Sequence, residues 1–576
     1  MNSKQKYWAR FFLGCIACGA IVLGSSLYVQ QVVKGSAYST RAQKQYVKLS
    51  ASLFDRGSIF FQAKDSTHIS AATVESGYVV YMNPTLVTAP QDAYRAVSQY
   101  LTLDQKDFVT RAGRAHDAYE ELARKVDEKT ALAIKSLGLP GIGVLKQSWR
   151  AYPGDELAAS TLGIIGEGKD GTIQGQYGLE DFYEKVLNRP SLGSGTSGFA
   201  ELFSGVKGLF QASDDTHGDV VTTIEPTVQG YIETILGKTK ELWHPDEIGA
   251  VVIDPMTGEI KALATLPSFN PNDTSHLKDV SVLSNPLVEK SYEMGSIIKP
   301  LTIATGLDTG VIVPTSTYDD TGTMTLNAKK FSNYDGKARG PNTPVQEILS
   351  QSLNIGAATV ALKVDADKGK GTFAKYFYSL LSTKSGIDLP HESASLISSL
   401  KSGRDIEIAT ASFGQGIAMS PIETVRALST IANGGYLITP HIAKEIDHED
   451  GTHTNTPVSK TGPLFKQETI DAVTRMLVKV VDDKMVAIHP TMKNEHYSVA
   501  AKTGTAQIAD HVNGGYYKDR YLHSFFGYFP AYNPKFLVFL YQIYPKNANF
   551  ASETLTDPFS EIEKFLINYY NVPPDR

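Results

Sequence analysis

The sequence predicts an α+β fold: one antiparallel sheet sandwiched by helices, preceded by a mixed N-terminal region. Two observations carry this. Strand-like runs lie at both ends of the C-terminal part, from Asp219 to Thr265 and from Ser498 to Ile543, with a helix-rich stretch from Ser291 to Asn433 between them. Strands that meet from both ends of a domain close one sheet between helical layers. The character of the chain also changes near Gly218, after a Gly- and Ser-crowded stretch from Ser191 to Gly198 that reads as a loop or linker. At 576 residues the chain is too long for one compact core.

Taken in order, residues 34–217 are irregular: Gly77 to Met82 reads as a strand, Gln91 to Tyr100 and Ala118 to Leu137 as helices. Asp219 to Ile224 reads as a strand, and Pro226 opens a helix through Leu236. Ile248 to Ile253 and Ile260 to Thr265 are β-like runs joined by Asp254-Pro255-Met256-Thr257-Gly258, a hairpin turn signal. Near the end, Ser498 to Gln507, Ser524 to Phe529 and Phe536 to Ile543 are β-like, and residues 559–570 read as a closing helix.

Phe11 to Val33 carries no charge and is long enough to cross about 30 Å of hydrocarbon. Lys4, Lys6 and Arg10 precede it, which leaves residues 1–10 in the cytoplasm and everything after Val33 outside the membrane. No small-x-small cleavage site closes the segment, so the reading is an uncleaved single-pass anchor and not a signal peptide. Both cysteines, Cys15 and Cys18, lie inside it; the outer portion therefore has no disulfide, no thiol nucleophile and no Cys-based zinc site. A formal net charge of −6 argues against a nucleic-acid-binding protein.

Three short motifs carry chemistry. In Ser296-Ile297-Ile298-Lys299, positions i and i+3 share one helix face. A serine hydroxyl is a poor nucleophile until a base takes its proton. A lysine one turn away serves if burial or nearby positive charge keeps its amine neutral. Gly295 permits a tight entry, and Pro300 falls in the first turn, where its missing N–H costs least. Alone the pattern is weak: Ser3/Lys6, Ser204/Lys207, Ser275/Lys278 and Ser398/Lys401 match it equally and read as solvated surface pairs. Ser352-Leu353-Asn354 lies in the apolar helical stretch from Ile348 to Leu362. It offers a hydroxyl that can relay protons and an amide that can hold a carbonyl. Lys502-Thr503-Gly504-Thr505 lies in the last β-like region, where a strand edge presents N–H and C=O groups to an extended peptide. Gly504 keeps that surface open for close approach. Lys460-Thr461-Gly462 is a decoy, because Pro463 follows it and its setting reads as a loop.

In this order the motifs resemble the S-x-x-K, S-D-N and K-T-G set of penicillin-binding proteins and class A β-lactamases. The chain resembles class B penicillin-binding proteins over roughly residues 150–545. Asn285-Pro286-Leu287 through Ser296 is similar to the family's lead into the nucleophile, and Gly249 to Asn272 to its first hairpin. Gly386-Ile387-Asp388-Leu389-Pro390, Ser412-Phe413-Gly414-Gln415-Gly416 and Ala432-Asn433-Gly434-Gly435 resemble its later region. Tyr152-Pro153-Gly154 and Tyr177-Gly178-Leu179-Glu180 look like its pedestal domain. Met294 stands where division-type members usually have proline. The Asp55-Arg56-Gly57-Ser58-Ile59 motif loses its usual continuation in Phe60 to Lys64. The Tyr292-Glu293 lead-in resembles the septal type more than the elongation type.

The resemblance implies a penicillin-binding/β-lactamase-like transpeptidase domain over 218–576, on a mixed, elongated pedestal of the class B dimerisation type over 34–217. It implies a peptidoglycan D,D-transpeptidase acting in septal wall synthesis, outside the cytoplasmic membrane. Ser296 attacks the penultimate carbonyl of a stem peptide ending in D-Ala-D-Ala, and Lys299 takes the serine proton. Ser352 and Lys502 serve the departing D-Ala, and Asn354 binds a donor amide. Thr503, Gly504 and Thr505 form the substrate edge, the threonines holding the carboxylate, and N–H groups of Ser296 and Thr505 hold the oxyanion. An acceptor amine resolves the acyl-enzyme, and β-lactams mimic the donor. A polytopic glycan polymerase and division or elongation proteins are the implied partners. The alternatives are an elongation-type enzyme, a D,D-carboxypeptidase or β-lactamase, and a catalytically weak β-lactam-binding scaffold. Gly237-Lys238-Thr239 lacks the P-loop's first glycine, since Ile232 occupies that position, and no H-E-x-x-H occurs. No metal and no organic cofactor is expected.

Overall fold

The computed structural model describes residues 56–114, 116–169, 172–189, 217–381, 384–510 and 512–576. The expected anchor at 11–33, the linker at 191–198 and the Ser3/Lys6 and Ser204/Lys207 decoys lie outside these residues. Among the described residues no helix is long and apolar enough to cross a membrane. Among the described residues the chain divides into two compact units, the smaller built on Val74–Arg150, the larger on Gly57–Thr73, Ala151–Arg189 and residues 217–576.

In the smaller unit, the end of strand His68–Met82 pairs antiparallel with Glu120–Val126, strand Ile142–Ala151 also pairs with His68–Met82, and helices Pro90–Val97, Gln105–Ala112 and Glu128–Ser136 complete it. Val80, Val97, Ala131 and Ile134 form one small core, Met82 and Phe108 another. The expectation of a helix from Ala118 to Leu137 needs correction at its first half. Glu120–Val126 is a strand, because pairing with Tyr78–Met82 overrides its local helix preference. The helix starts only after Asp127, whose carboxylate accepts the N–H of Thr130 as an N-cap.

The larger unit is built on helix α1 (Pro226–Trp243), hairpin strands β1 (Glu247–Ile253) and β2 (Ile260–Leu266), and helices α2 (Lys299–Asp308), α3 (Asn354–Lys368), α4 (Pro421–Ala432) and α5 (Gln467–Val480). Strands β3 (Ala500–Ala509), β4 (Tyr516–Phe529) and β5 (Phe536–Ile543) follow, and helix α6 (Ala551–Tyr570) closes it. The five strands form one antiparallel sheet in the order β3-β4-β5-β1-β2, so β3 is an edge. Side chains alternate across its faces. Phe525 stacks on Phe559 of α6 at 4.5 Å, and a side chain at Gly527 would strike the same ring. On the opposite face, Tyr528 pairs its hydroxyl with Thr474 of α5 at 2.8 Å. Helix α1 is pinned to β2 by Gln229, which exchanges hydrogen bonds with the backbone N–H and C=O of Leu263. The expected helix-rich middle also holds short strands, Thr317–Asp320, Thr323–Leu326, Lys329–Ser332 and Gly340–Pro344. Lys460–Thr461 is likewise not loop but a two-residue strand paired with Leu437–Ile438.

Candidate active site

The nucleophile's turn is fixed from several directions. Gly295 has φ +65, and a side chain there would meet the Thr505 carbonyl at 2.8 Å. Glycine is therefore needed both for the left-handed backbone and for the close passage. Its N–H donates to the carbonyl of Gly414. Residues Gly295–Ile298 form a short 3-10 turn that runs directly into α2 at Lys299, with Pro300 in its first turn. Beneath the turn, Gly504 of β3 leaves room: a Cβ there would lie 2.4 Å from Ser524 Oγ and 2.9 Å from the Met294 carbonyl. Ser524, opposite Gly504 on β4, donates to that carbonyl at 2.8 Å.

Upstream, two carboxylates hold the lead-in segment. Glu247, at the start of β1, accepts from the hydroxyls of Tyr292 and Tyr541 and from Lys290. Glu293 accepts from the N–H of Gly416 and from the hydroxyl of Tyr516, and burial pushes its carboxyl up. None of Ser524, Glu247 or Tyr516 carried a sequence signal. Each is a long-range partner that a linear motif cannot register.

At the centre, Lys299 Nζ lies 2.8 Å from Ser296 Oγ, 2.6 Å from the Ser352 carbonyl and 3.1 Å from Ser352 Oγ. Lys502 Nζ lies 3.0 Å from Ser352 Oγ and 2.8 Å from the Thr503 carbonyl. Lys299 is 0% and Lys502 2% exposed. Burial first, and then the charge of Lys502, hold the Lys299 amine well below the ordinary lysine range; burial alone brings Lys502 down to about 7. Ser296, Lys299, Ser352 and Lys502 thus form one hydrogen-bonded chain, the last three supplied by α2, the α3 approach and β3.

Ser352 is not within a helix. The expected stretch from Ile348 to Leu362 breaks into Gln346–Ser350 and α3, and Ser352 sits in the break at φ +56. That backbone is costly for a non-glycine residue and is held by its surroundings. Buried Asn333 supplies part of this hold. Its Oδ1 accepts the N–H of Ile355 in the first turn of α3, while its amide donates to Asp320. Asn354 donates its own amide to the Ser332 carbonyl at 2.9 Å and so ties α3 to the same strand. Along β3, Lys502 and Gly504 are buried, while Thr503 and Thr505 alternate with them, half-buried on this edge strand; Thr505 Oγ1 accepts the N–H of Ala551 at the start of α6, leaving its hydroxyl proton free to donate. The decoys are elsewhere: Ser275, Lys278, Ser398 and Lys401 are exposed. Among the described residues no group of three or more His, Cys, Asp or Glu is arranged to hold a metal ion.

Residues 248–560 match the model of the penicillin binding protein transpeptidase domain, and residues 55–202 that of the penicillin-binding protein dimerisation domain. The chain belongs to the penicillin-binding protein transpeptidase family. Among curated relatives, it is 28% identical over 543 residues to stage V sporulation protein D of Bacillus subtilis, covering 91% of this chain and 80% of that one. It is 24% identical to the peptidoglycan D,D-transpeptidase FtsI of Buchnera aphidicola, covering 96% and 94%. Among solved structures, the apo form of penicillin binding protein 3 from Mycobacterium tuberculosis superposes with a TM-score of 0.63 at 26% identity, covering 75% of this chain and 92% of that one. Penicillin binding protein 2X from Streptococcus thermophilus shares the fold, with a TM-score of 0.71 at 19% identity, over 90% of this chain and 80% of that one.

Proposed function

We propose that this family member is a serine-type peptidoglycan D,D-transpeptidase that cross-links stem peptides through an acyl-enzyme on Ser296. The observation that carries it is the 2.8 Å approach of a fully buried, easily discharged amine, Lys299 Nζ, to Ser296 Oγ. A neutral Lys299 takes the hydroxyl proton as Ser296 Oγ bonds to the penultimate D-Ala carbonyl carbon. The resulting oxyanion sits at the N–H groups of Ser296 and Thr505; one such donor is typically worth about 10²–10³ in rate. As the peptide bond breaks, the terminal D-Ala amine receives a proton through Ser352, with Lys502 beside it. The amine of a neighbouring stem then attacks the ester, and the same groups take its proton. Asn354 orients the donor amide, and the hydroxyls of Thr503 and Thr505 hold the donor carboxylate at the edge of β3. β-Lactams present the same carbonyl and acylate the same serine.

The Tyr292-Glu293 lead-in and the similarity to FtsI support a septal role in cell division over an elongation role. The proposal includes residues 11–33 as a single membrane anchor with 1–10 cytoplasmic, 34–217 as an elongated pedestal and 218–576 as the transpeptidase domain outside the membrane. A membrane-embedded glycan polymerase and the division complex are its partners.

The test is product analysis with the full chain in detergent, given a stem peptide ending in D-Ala-D-Ala with and without an acceptor amine. Release of D-Ala with formation of the cross-linked dimer supports the proposal. Release of D-Ala with only the shortened peptide, whether or not acceptor is present, marks a carboxypeptidase instead.

A further inference from the structure

A buried histidine that the catalytic chain does not use stands beside the substrate edge. His523 of β4 lies directly opposite Thr505 of β3, and such cross-strand partners share one face of a sheet. Both side chains reach the first turn of α6. Thr505 Oγ1 accepts the N–H of Ala551 at 3.1 Å, and His523 Nδ1 lies 2.9 Å from Thr554 Oγ1. Thr554 bonds back to the Ala551 carbonyl at 3.5 Å. Ala551 is thus held at its N–H by one strand and at its C=O, through Thr554, by the next. The helix has no local cap, since Phe550 before it makes no side-chain capping bond. The first N–H groups of a helix lack partners within it, so Thr505 supplies one from β3. The same bond restrains the Thr505 hydroxyl: with a lone pair committed to Ala551, its proton turns away from α6. At 0% exposure His523 brings a polar ring where an apolar side chain would leave nothing to satisfy. Its contact with the turn gives that ring a task.

We propose that His523 is a positioning residue for donor binding: through Thr554 it sets the first turn of α6, and that turn aims the Thr505 hydroxyl at the donor's terminal carboxylate. The proposal rests on the reading of Ser296 as the acylated residue and of Thr505 as a carboxylate ligand. His523 itself touches neither the donor nor Ser296. Without its bond to Thr554 the turn loosens, the Ala551 N–H leaves Thr505, and the hydroxyl rotates freely. A hydrogen bond to a charged group is worth roughly ten- to a hundredfold in binding, and a misaimed one forfeits the lower part of that range.

The experiment measures second-order acylation rate constants of the full chain in detergent with benzylpenicillin and with its methyl ester, which keeps the β-lactam ring and loses the negative charge. The acid-to-ester ratio isolates the share of the carboxylate. H523L lowers that ratio about tenfold. T554V lowers it about equally, and the double variant goes no further than the lower single. H523N, whose amide reaches toward Thr554 as Nδ1 does, recovers most of the ratio. T554V carries the test alone if H523L does not fold. A ratio within about twofold of wild type in H523L and T554V, or single effects that multiply in the double, overturns the role of His523. So does an equal fall in both rate constants, which marks general damage to the fold. Wild-type protein that forms an adduct lost in Ser296→Ala and prefers the acid, yet keeps its ratio in these variants, sinks the role of His523 alone. An adduct that is absent or survives Ser296→Ala, or a wild type indifferent to the charge, removes the donor-site reading and His523 with it.

Discussion

A lysine shut away from water must either find an anion or give up its proton. Lys299 has no carboxylate among its contacts, only hydroxyl and carbonyl oxygens and the charge of Lys502 nearby. It therefore discharges easily, and that is what a base for Ser296 requires. Replacing it with alanine should cut acylation by about 10²–10⁴-fold, measured as the second-order rate constant with a penicillin. Arginine should not rescue it, because a guanidinium stays protonated. The pH profile carries the same logic with a definite sign. The rate rises with pH as Lys299 loses its proton, at a pH far below the ordinary lysine value. It falls again as Lys502, which titrates near 7, can no longer return a proton to the leaving group. The expected profile is a bell whose alkaline limb begins near neutrality. A rate that keeps climbing to pH 10 would mean a lysine with an unperturbed amine.

At the scale of elements, the site depends on how closely the nucleophile's turn lies on β3. Gly504→Ala would drive a methyl into Ser524 Oγ and the Met294 carbonyl. The expected cost is about 1–3 kcal/mol of stability, with a larger loss of acylation because Ser296 is displaced. Chemical denaturation and acylation kinetics on one preparation separate the two effects. Asn333→Ala should cost about 1–3 kcal/mol, since it leaves the buried Ile355 N–H and Asp320 short of a partner. The strands flanking the site were legible because their apolar runs are bounded by turn residues: Phe536–Ile543 agrees residue for residue, and the β1–β2 turn lies where Asp254 to Gly258 put it. Glu120–Val126 was not, because only its partner strand makes it extended. The break at Ser352 was hidden because the stretch from Ile348 to Leu362 keeps enough apolar residues to read as one helix, and no local residue signals the positive φ that Ser352 adopts.

Over the whole molecule, stability is tied to buried groups outside the hydrogen-bonded catalytic chain, His523 among them as the cross-strand neighbour of Thr505. His523 is fully buried beside Thr554 on β4, and burial depresses it to about 4. The folded state thus holds it neutral while the unfolded chain protonates it near 6.5. Its contribution to stability is full above 6.5 and is lost as pH falls toward 4, by about 3 kcal/mol. Glu423 and Glu563, raised to about 7 by burial, act oppositely: their contribution is full below the ordinary carboxylate value and is lost as pH rises through 7. Comparing wild type with His523→Gln by denaturant titration at pH 7 and pH 4 isolates the histidine share, and an equal difference at both values would contradict it. Such groups are invisible in a sequence, since a histidine in an alternating strand gives no sign of which face it takes. The three motifs were legible because order and local setting together filter out decoys such as Ser398/Lys401. The central claim remains that Ser296 is acylated with help from Lys299, and intact mass after incubation with a penicillin tests it most directly. The account predicts one covalent adduct on wild type that is absent from Ser296→Ala and strongly slowed in Lys299→Ala. Folded wild type that stays unmodified at high drug concentration, or an adduct that persists in Ser296→Ala, would contradict it.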